Sequence, residues 1–200
     1  MSEILWQPSP ERIRHTRMDQ FRRFINDRYS VQLSDYPALH QWSIDQRADF
    51  WQALVTFFDV QFRSPPSAVL IEDAEMPSAQ WFPGATLNFA EHLLRRRDDH
   101  PAVVAIGEDG QREQLSYAEL AAHVAGLQRS LRAAGVGLGD RVAACMPNTW
   151  QTLVGMLATS SLGAIWSCSS PDFGTQGVID RFGQIERSEE HTSELQSPRL

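Results

Sequence analysis

Lysine is missing from this sequence of 200 residues; all 18 of its basic residues are arginine. A Walker A phosphate loop, a Schiff base and a tuned lysine base are therefore excluded within it, because arginine keeps its proton and cannot stand in for them. Cysteine is scarce: only Cys145 and Cys168 occur, both inside strand-like apolar runs. That excludes a disulfide framework, fits a reducing compartment, and reads both thiols as core. No long uncharged apolar run and no N-terminal apolar leader is visible, so the reading is a cytoplasmic chain with no membrane partner. Positive charge is in deficit, with 18 basic against 25 acidic residues and a net charge of −7, which argues against a nucleic-acid partner. The six histidines, at 15, 40, 92, 100, 123 and 191, show neither HxxxH nor HxH spacing, so no metal site is expected. There is no GxSxG elbow, and neither cysteine has a histidine nearby to activate it.

What is present is organised around Gly139 to Gly174, GDRVAACMPNTWQTLVGMLATSSLGAIWSCSSPDFG. The apolar run Val142–Met146 has strand length, Pro147 and Asn148 end it, and Thr149 is placed to cap a helix. Leu153, Val154, Leu157, Ser161 and Leu162 then follow helical spacing, and Gly163 closes it as a glycine tolerant of the left-handed conformation. Ala164–Cys168 is a second strand, ending in the turn-forming SSPDFG. Strand, helix and strand in this order predict a β-α-β unit with parallel strands and a right-handed crossover. Ligands gather at the carboxyl ends of such strands, which singles out Pro147–Trp150 and Ser169–Gly174. Trp150, Trp166 and Phe173 are candidate pocket walls, although an aromatic on a buried strand is more often core.

Upstream, Ser9-Pro10 starts a helix expected to run to about Arg28, with Ile13, Phe21, Phe24 and Ile25 on one side. Ser43-Ile44-Asp45-Gln46 reads as a capping box opening a helix from Arg47 to Val60, whose Phe50, Trp51, Leu54, Phe57 and Phe58 form an apolar face. Ser64-Pro65-Pro66-Ser67 reads as a linker, giving a helical piece over 1–63. Pro83-Gly84 is a turn. Asn88 and Glu91 cap a short helix carrying Phe89, Leu93 and Leu94, with Arg95–Arg97 placed in its last turn. Ala102–Ile106 and Gln111–Leu115 flank Glu108-Asp109-Gly110 as a hairpin. Ser116-Tyr117-Ala118-Glu119 is a capping box for a helix with Leu120, Val124, Leu127 and Leu131 inward, stopped by Gly135. The glycine-rich Gly135–Asp140 leaves a helix and opens a strand, the reverse of a dinucleotide-binding loop, so a nicotinamide-dependent oxidoreductase is disfavoured. A last helix starts at Gly174 or Thr175 with Val178, Ile179 and Phe182 inward. Beyond Glu186 the apolar period stops, and residues 187–200 read as an unrelated tail resembling translated sequencing-adapter read-through.

The residues LSYAELAAHVAGLQRSLRAAGVGLGDRVAACMPNTWQTLVGMLATSSLGAIW resemble the N-terminal segment of the adenylate-forming acyl-CoA synthetase superfamily. The helical N-terminal piece and WFPGATLNFAEHLL are similar to its acetyl-CoA synthetase-like branch; WFPG, GAIWSCSSPDFG and GVIDRFGQIE together resemble the acetoacetyl-CoA synthetases. The resemblance implies an α/β fold: a helical N-terminal piece, then the first β-α-β units of the large N-terminal domain of an adenylate-forming enzyme, incomplete. It divides the chain into 1–63, the start of an AMP-binding domain over 64–186, and the tail 187–200. It further implies an acetoacetate–CoA ligase that uses ATP, Mg²⁺ and CoA to make acetoacetyl-AMP and then acetoacetyl-CoA, releasing pyrophosphate and AMP, in short-chain fatty acid or ketone-body metabolism. The alternatives are another short-chain synthetase acting on acetate or propionate, and a non-catalytic binding fragment. The family's phosphate loop and catalytic lysine match nothing here, so no catalytic residue is assigned and the chain alone is expected to be inactive. Only Ser170, Pro171, Asp172 and Phe173 align with a stretch that approaches the CoA path, with Pro171 and Asp172 standing where glycines are usual.

Overall fold

A computed structural model describes residues 5–72 and 78–185. The tail 187–200, expected to be unrelated to the rest, lies outside the described residues. The fold divides into two compact units, Met1–Leu87 and Asn88–Leu200.

The first unit is built on four helices: α1 (Pro10–Arg14), α2 (Arg17–Tyr29), α3 (Tyr36–Asp45) and α4 (Arg47–Phe57). The single helix expected from Ser9 to Arg28 is broken at His15-Thr16. Thr16 adopts extended backbone, accepts from the Asp19 amide at 3.1 Å, and so restarts the helix as its N-cap. The capping box expected at Ser43 does not form. Ser43 lies inside α3 and its hydroxyl donates to the His40 carbonyl at 2.7 Å, while Gln46 precedes α4 without a side-chain cap. Asp35 is the true start signal, accepting from the Ala38 amide at 2.9 Å ahead of Pro37. Phe21, Ile25, Leu39, Trp42 and Ala53 form the core of this unit. Of the expected apolar face of α4, Phe50, Leu54 and Phe57 pack against this core, whereas Trp51 and Phe58 are exposed and Ala53 is fully buried. Trp51 instead meets Trp81 edge-on, with ring centroids 5.4 Å apart. Trp81 belongs to a short antiparallel pair, β1 (Leu70–Ile71) and β2 (Gln80–Trp81). Ser64–Ser67 lies within this unit: Ser64 bridges Thr86, and the Ser67 amide donates to the Pro83 carbonyl at 2.9 Å.

The second unit opens with α5 (Phe89–Leu93). Asn88 caps it by accepting from the Glu91 amide at 2.9 Å, and its side-chain N–H donates to the Ser160 carbonyl at 2.9 Å. The helix ends before Arg95–Arg97, so these arginines do not occupy its last turn. Arg96 pairs with Asp98 at 2.7 Å and lies over the Tyr117 ring. The hairpin forms as antiparallel β3 (Pro101–Ile106) and β4 (Arg112–Ser116). The Ser116–Glu119 capping box then opens α6 (Tyr117–Ala133), with both reciprocal hydrogen bonds present. Those contacts, first from the Ser116 amide and then from its hydroxyl, hold the Glu119 carboxyl below its usual range.

Next come β5 (Arg141–Cys145), α7 (Trp150–Ser161) and β6 (Ile165–Ser169), with β5 and β6 parallel and Ala144 opposite Cys168. Gly163 turns the chain between α7 and β6 with a φ of 74°. The loop Gly137–Asp140 is held by its own aspartate, which accepts from the Gly137 amide at 2.8 Å. Leu120, Val124, Leu131, Val154, Leu157 and Ala158 form the centre of this core, where α6 and α7 pack. A short 3₁₀ turn (Pro171–Phe173) leads into α8 (Gly174–Gly183), which buries Phe182 but leaves Ile179 exposed.

Both cysteines are exposed, contrary to the core reading. Among the described residues the β5–β6 pair has no third strand, so apolar composition does not secure burial. Thr159 is the converse case, a polar residue fully buried on α7 whose Oγ1 has no hydrogen-bond partner. An unmet buried hydroxyl costs about 1–3 kcal/mol. Thr159→Val, which keeps the branched shape, is therefore expected to stabilise the chain by about 1 kcal/mol. Urea denaturation reads this as a higher midpoint at unchanged slope.

Candidate functional site

The carboxyl ends of β5 and β6 open side by side. The Met146 amide, just beyond β5, donates to the Ser169 carbonyl at 3.1 Å, so the two exits are fastened to each other. After β5 the chain turns through Pro147-Asn148-Thr149. Thr149 holds the N-cap position of α7 without using its side chain; Thr152 stabilises the turn instead, its hydroxyl donating to the Pro147 carbonyl at 2.7 Å. Trp150 begins α7. Its indole N–H donates to the Glu113 carboxylate at 2.7 Å, and the His123 ring lies 5.0 Å from it, centroid to centroid. Side chains from β4 and α6 thereby fix one wall of the edge.

The other wall is the SSPDFG stretch. Ser170 donates to the Asp172 carboxylate at 2.7 Å, and its oxygen accepts from the Asp172 amide at 3.4 Å, closing a tight polar turn behind Pro171. Gly174 follows with a φ of 66°, a conformation an L side chain rarely adopts. Phe173 is 53% exposed, and the Arg181 guanidinium covers its ring at 3.7 Å. Arg181 is anchored in turn by donating to the Gly177 carbonyl at 3.2 Å.

Ser170, Pro171, Asp172 and Phe173 thus form one contiguous edge, as their succession in sequence requires. The three aromatics singled out as pocket walls do different work. Trp150 is tied to Glu113, Phe173 is capped by Arg181, and Trp166 turns its ring end against α7 at Gly155. Arg181 and Glu113 were not picked out from the sequence. Arg181 sits eight residues after Phe173 on the following helix, and Glu113 meets Trp150 only through the hairpin's fold.

Chemically the edge offers the Thr149 and Ser170 hydroxyls, the Glu113 and Asp172 carboxylates, the His123 imidazole, the Arg181 guanidinium and the Trp150 and Phe173 rings. Its Ser170 hydroxyl is engaged by the Asp172 carboxylate. Among the described residues no cluster of three or more His, Cys, Asp and Glu side chains could hold a metal. The Asp98 carboxyl, held low chiefly by its Arg96 hydrogen bond, supports the entry to α6 and β3 and is not part of this edge.

Residues 89–186 match the AMP-binding enzyme family, and residues 36–93 match the acetyl-coenzyme A synthetase N-terminus. The acetoacetyl-coenzyme A synthetase of Rhizobium meliloti (strain 1021) is 46% identical over 181 residues, covering 90% of this chain and 28% of that protein. The acetoacetyl-CoA synthetase of Xenopus tropicalis is 37% identical over 190 residues, with 92% of this chain and 28% of its own length covered. A malonamoyl-CoA synthetase of Penicillium aethiopicum is 39% identical over 191 residues, covering 92% and 26%. Among solved structures, the acetoacetyl-CoA synthetase from Streptomyces lividans superposes with a TM-score of 0.85 at 43% identity, over 93% of this chain and 29% of that one. The chain spans less than a third of the length of each of these relatives.

Proposed function

Because the chain belongs to the AMP-binding enzyme family, we propose that it is the N-terminal part of an acetoacetate–CoA ligase. That enzyme would join acetoacetate to AMP at the expense of ATP, releasing pyrophosphate, and then pass the acyl group to the CoA thiol, releasing AMP. The observation that carries the reading is the order of the two family matches. They run without a gap from residue 36 to residue 186, and relatives named acetoacetyl-CoA synthetase follow the same stretch at 34–46% identity. Within the ligase, Ser170–Phe173 would flank the path of CoA, with Phe173 held by Arg181 and the backbone held by the Ser170–Asp172 turn.

The phosphate loop and the catalytic lysine that the family resemblance implies match nothing in this chain. Arginine is the only side-chain cation of fixed charge in the chain, and no carboxylate cluster suited to a metal occurs among the described residues. In this reading the main contacts to ATP and Mg²⁺ come from the rest of the ligase. No helix among the described residues is long and apolar enough to cross a membrane, and a cytoplasmic setting is part of the proposal. The Penicillium aethiopicum relative favours a second reading, a synthetase of this branch that takes a different short acid.

Pyrophosphate release in the presence of ATP and CoA tests these points. The 200-residue chain alone is expected to release none with acetoacetate. The ligase-length protein read from the source gene is expected to prefer acetoacetate over acetate by at least about tenfold in kcat/KM, roughly 1.4 kcal/mol of transition-state discrimination. In it, Asp172→Ala should raise the KM for CoA and leave that for acetoacetate unchanged. Release by the chain alone, or a preference for acetate, would overturn the proposal.

A further inference from the structure

The helical unit contains a cleft of about 330 Å³ that takes no part in the edge described above. That volume is at the lower end of the range for small-molecule sites, roughly 300–1,000 Å³. Its walls are apolar and come from three helices: Met18 and Phe21 from α2, Leu39 from α3, Phe50 and Leu54 from α4. Of these, Phe21 and Leu39 are buried, while Met18 is half exposed. The polar groups lining it are few: Arg17, Tyr36, His40 and Ser43.

The fixed charge of the lining has one sign. Arg17 is the only lining residue with a fixed charge, and its guanidinium hydrogen-bonds the neutral side-chain oxygen of Gln20 at 3.1 Å. No carboxylate lines the cleft. Nearby acids are turned elsewhere: Asp19 to Arg22 and Arg23, Asp35 to the Ala38 amide, Asp45 to Gln41. Arginine presents a planar fork of donors that matches a carboxylate in bidentate fashion. The Tyr36 and His40 rings, 6.2 Å apart centroid to centroid, also line the cleft and offer further hydrogen-bonding groups.

We propose that this cleft binds the carboxylate of a medium-chain aliphatic acid, with the head on Arg17 and the chain laid over Phe21, Leu39 and Leu54. An apolar body and one anionic head complement the lining; a cationic or purely polar ligand does not. The site is separate from the ligase chemistry and holds whether or not the acid activated is acetoacetate.

Isothermal titration of the full chain with hexanoate, octanoate and decanoate provides the test. Affinity should rise roughly fourfold per added methylene until the cleft is full, the ratio that accompanies about 0.8 kcal/mol per buried CH₂. Octanol and octylamine should each bind at least about tenfold more weakly than octanoate. Arg17→Gln, a change at an exposed residue, should weaken octanoate about tenfold and leave octanol unaffected. Leu54→Trp, which fills the cleft, should abolish binding of both while circular dichroism reports an unchanged helix content. Equal binding of octanoate and octanol would overturn the proposal, as would indifference to Arg17→Gln or a failure of the series to rise with length. Sedimentation showing that the cleft closes against a second copy of the chain would overturn it as well.

Discussion

Gly155→Ala is expected to destabilise the chain by about 2 kcal/mol, and to become harmless or mildly stabilising once Trp166 is replaced by leucine. Gly155 is buried in the middle of α7, where glycine is normally about 1 kcal/mol worse than alanine. A methyl group should therefore help. The structure reverses that expectation, because a Cβ at Gly155 would stand 2.7 Å from the end of the Trp166 ring and 3.2 Å from the next ring atom. Trp166 is on β6, the strand that α7 leads into, and its indole is a rigid plate that can only move as a whole. Overpacking of this kind costs about 1–3 kcal/mol. The absence of a side chain at 155 is what lets helix and strand approach closely. Urea midpoints for the two single variants and the double variant form a cycle. A Gly155→Ala penalty that is the same with and without the Trp166 ring would show that the contact is not the cause.

This contact illustrates how the sequence could and could not be read. The β-α-β unit was legible because its boundaries are marked by residues with little conformational choice. Pro147 ends a strand, Gly163 carries a φ of 74°, and the Ser116–Glu119 spacing supports a reciprocal cap. The failures were of two physical kinds. Ser43 and Thr16 have the same local chemistry, and either can cap a helix. Asp35 and Pro37 had already started α3, so Ser43 was consumed as an interior residue, while Thr16 took the cap no pattern had given it. Cys145 and Cys168 were read as buried because apolar strands usually are, but burial depends on covering neighbours and not on composition.

The candidate edge was legible only in outline. Parallel strands direct their exits to one side, so Pro147–Trp150 and Ser169–Gly174 could be placed together from topology alone. The contacts that give the edge its shape join separate elements: Trp150 reaches Glu113 across 37 residues, and Phe173 is covered by an arginine from the following helix. No periodicity records such pairs.

Asp19→Ala should cost about 3 kcal/mol, the largest effect expected of any charged residue in the helical unit. Asp19 is buried on α2, with 7% of its surface exposed, and one carboxylate oxygen receives two donors from Arg22, at 2.7 and 3.0 Å. Its other oxygen meets Arg23 at 3.2 Å. Arg22 is itself largely covered and also donates to the Leu33 carbonyl, which fastens the segment after α2 back onto the helix. Removing the carboxylate leaves the Arg22 charge in a poorly solvated place with its principal partner gone, and that residual charge is the main cost. Removing both charges is a different matter. Asp19→Leu combined with Arg22→Met replaces an ion pair with apolar volume, and such exchanges are often neutral. The double variant should therefore unfold at a midpoint clearly above that of Asp19→Ala, although it has lost more native contacts. The Leu33 carbonyl keeps a donor in that variant, since the Asn26 side chain reaches it at 3.2 Å. If the double variant instead falls below the single one, the pair stabilises the unit through its own attraction, and the account in terms of an uncompensated charge is wrong.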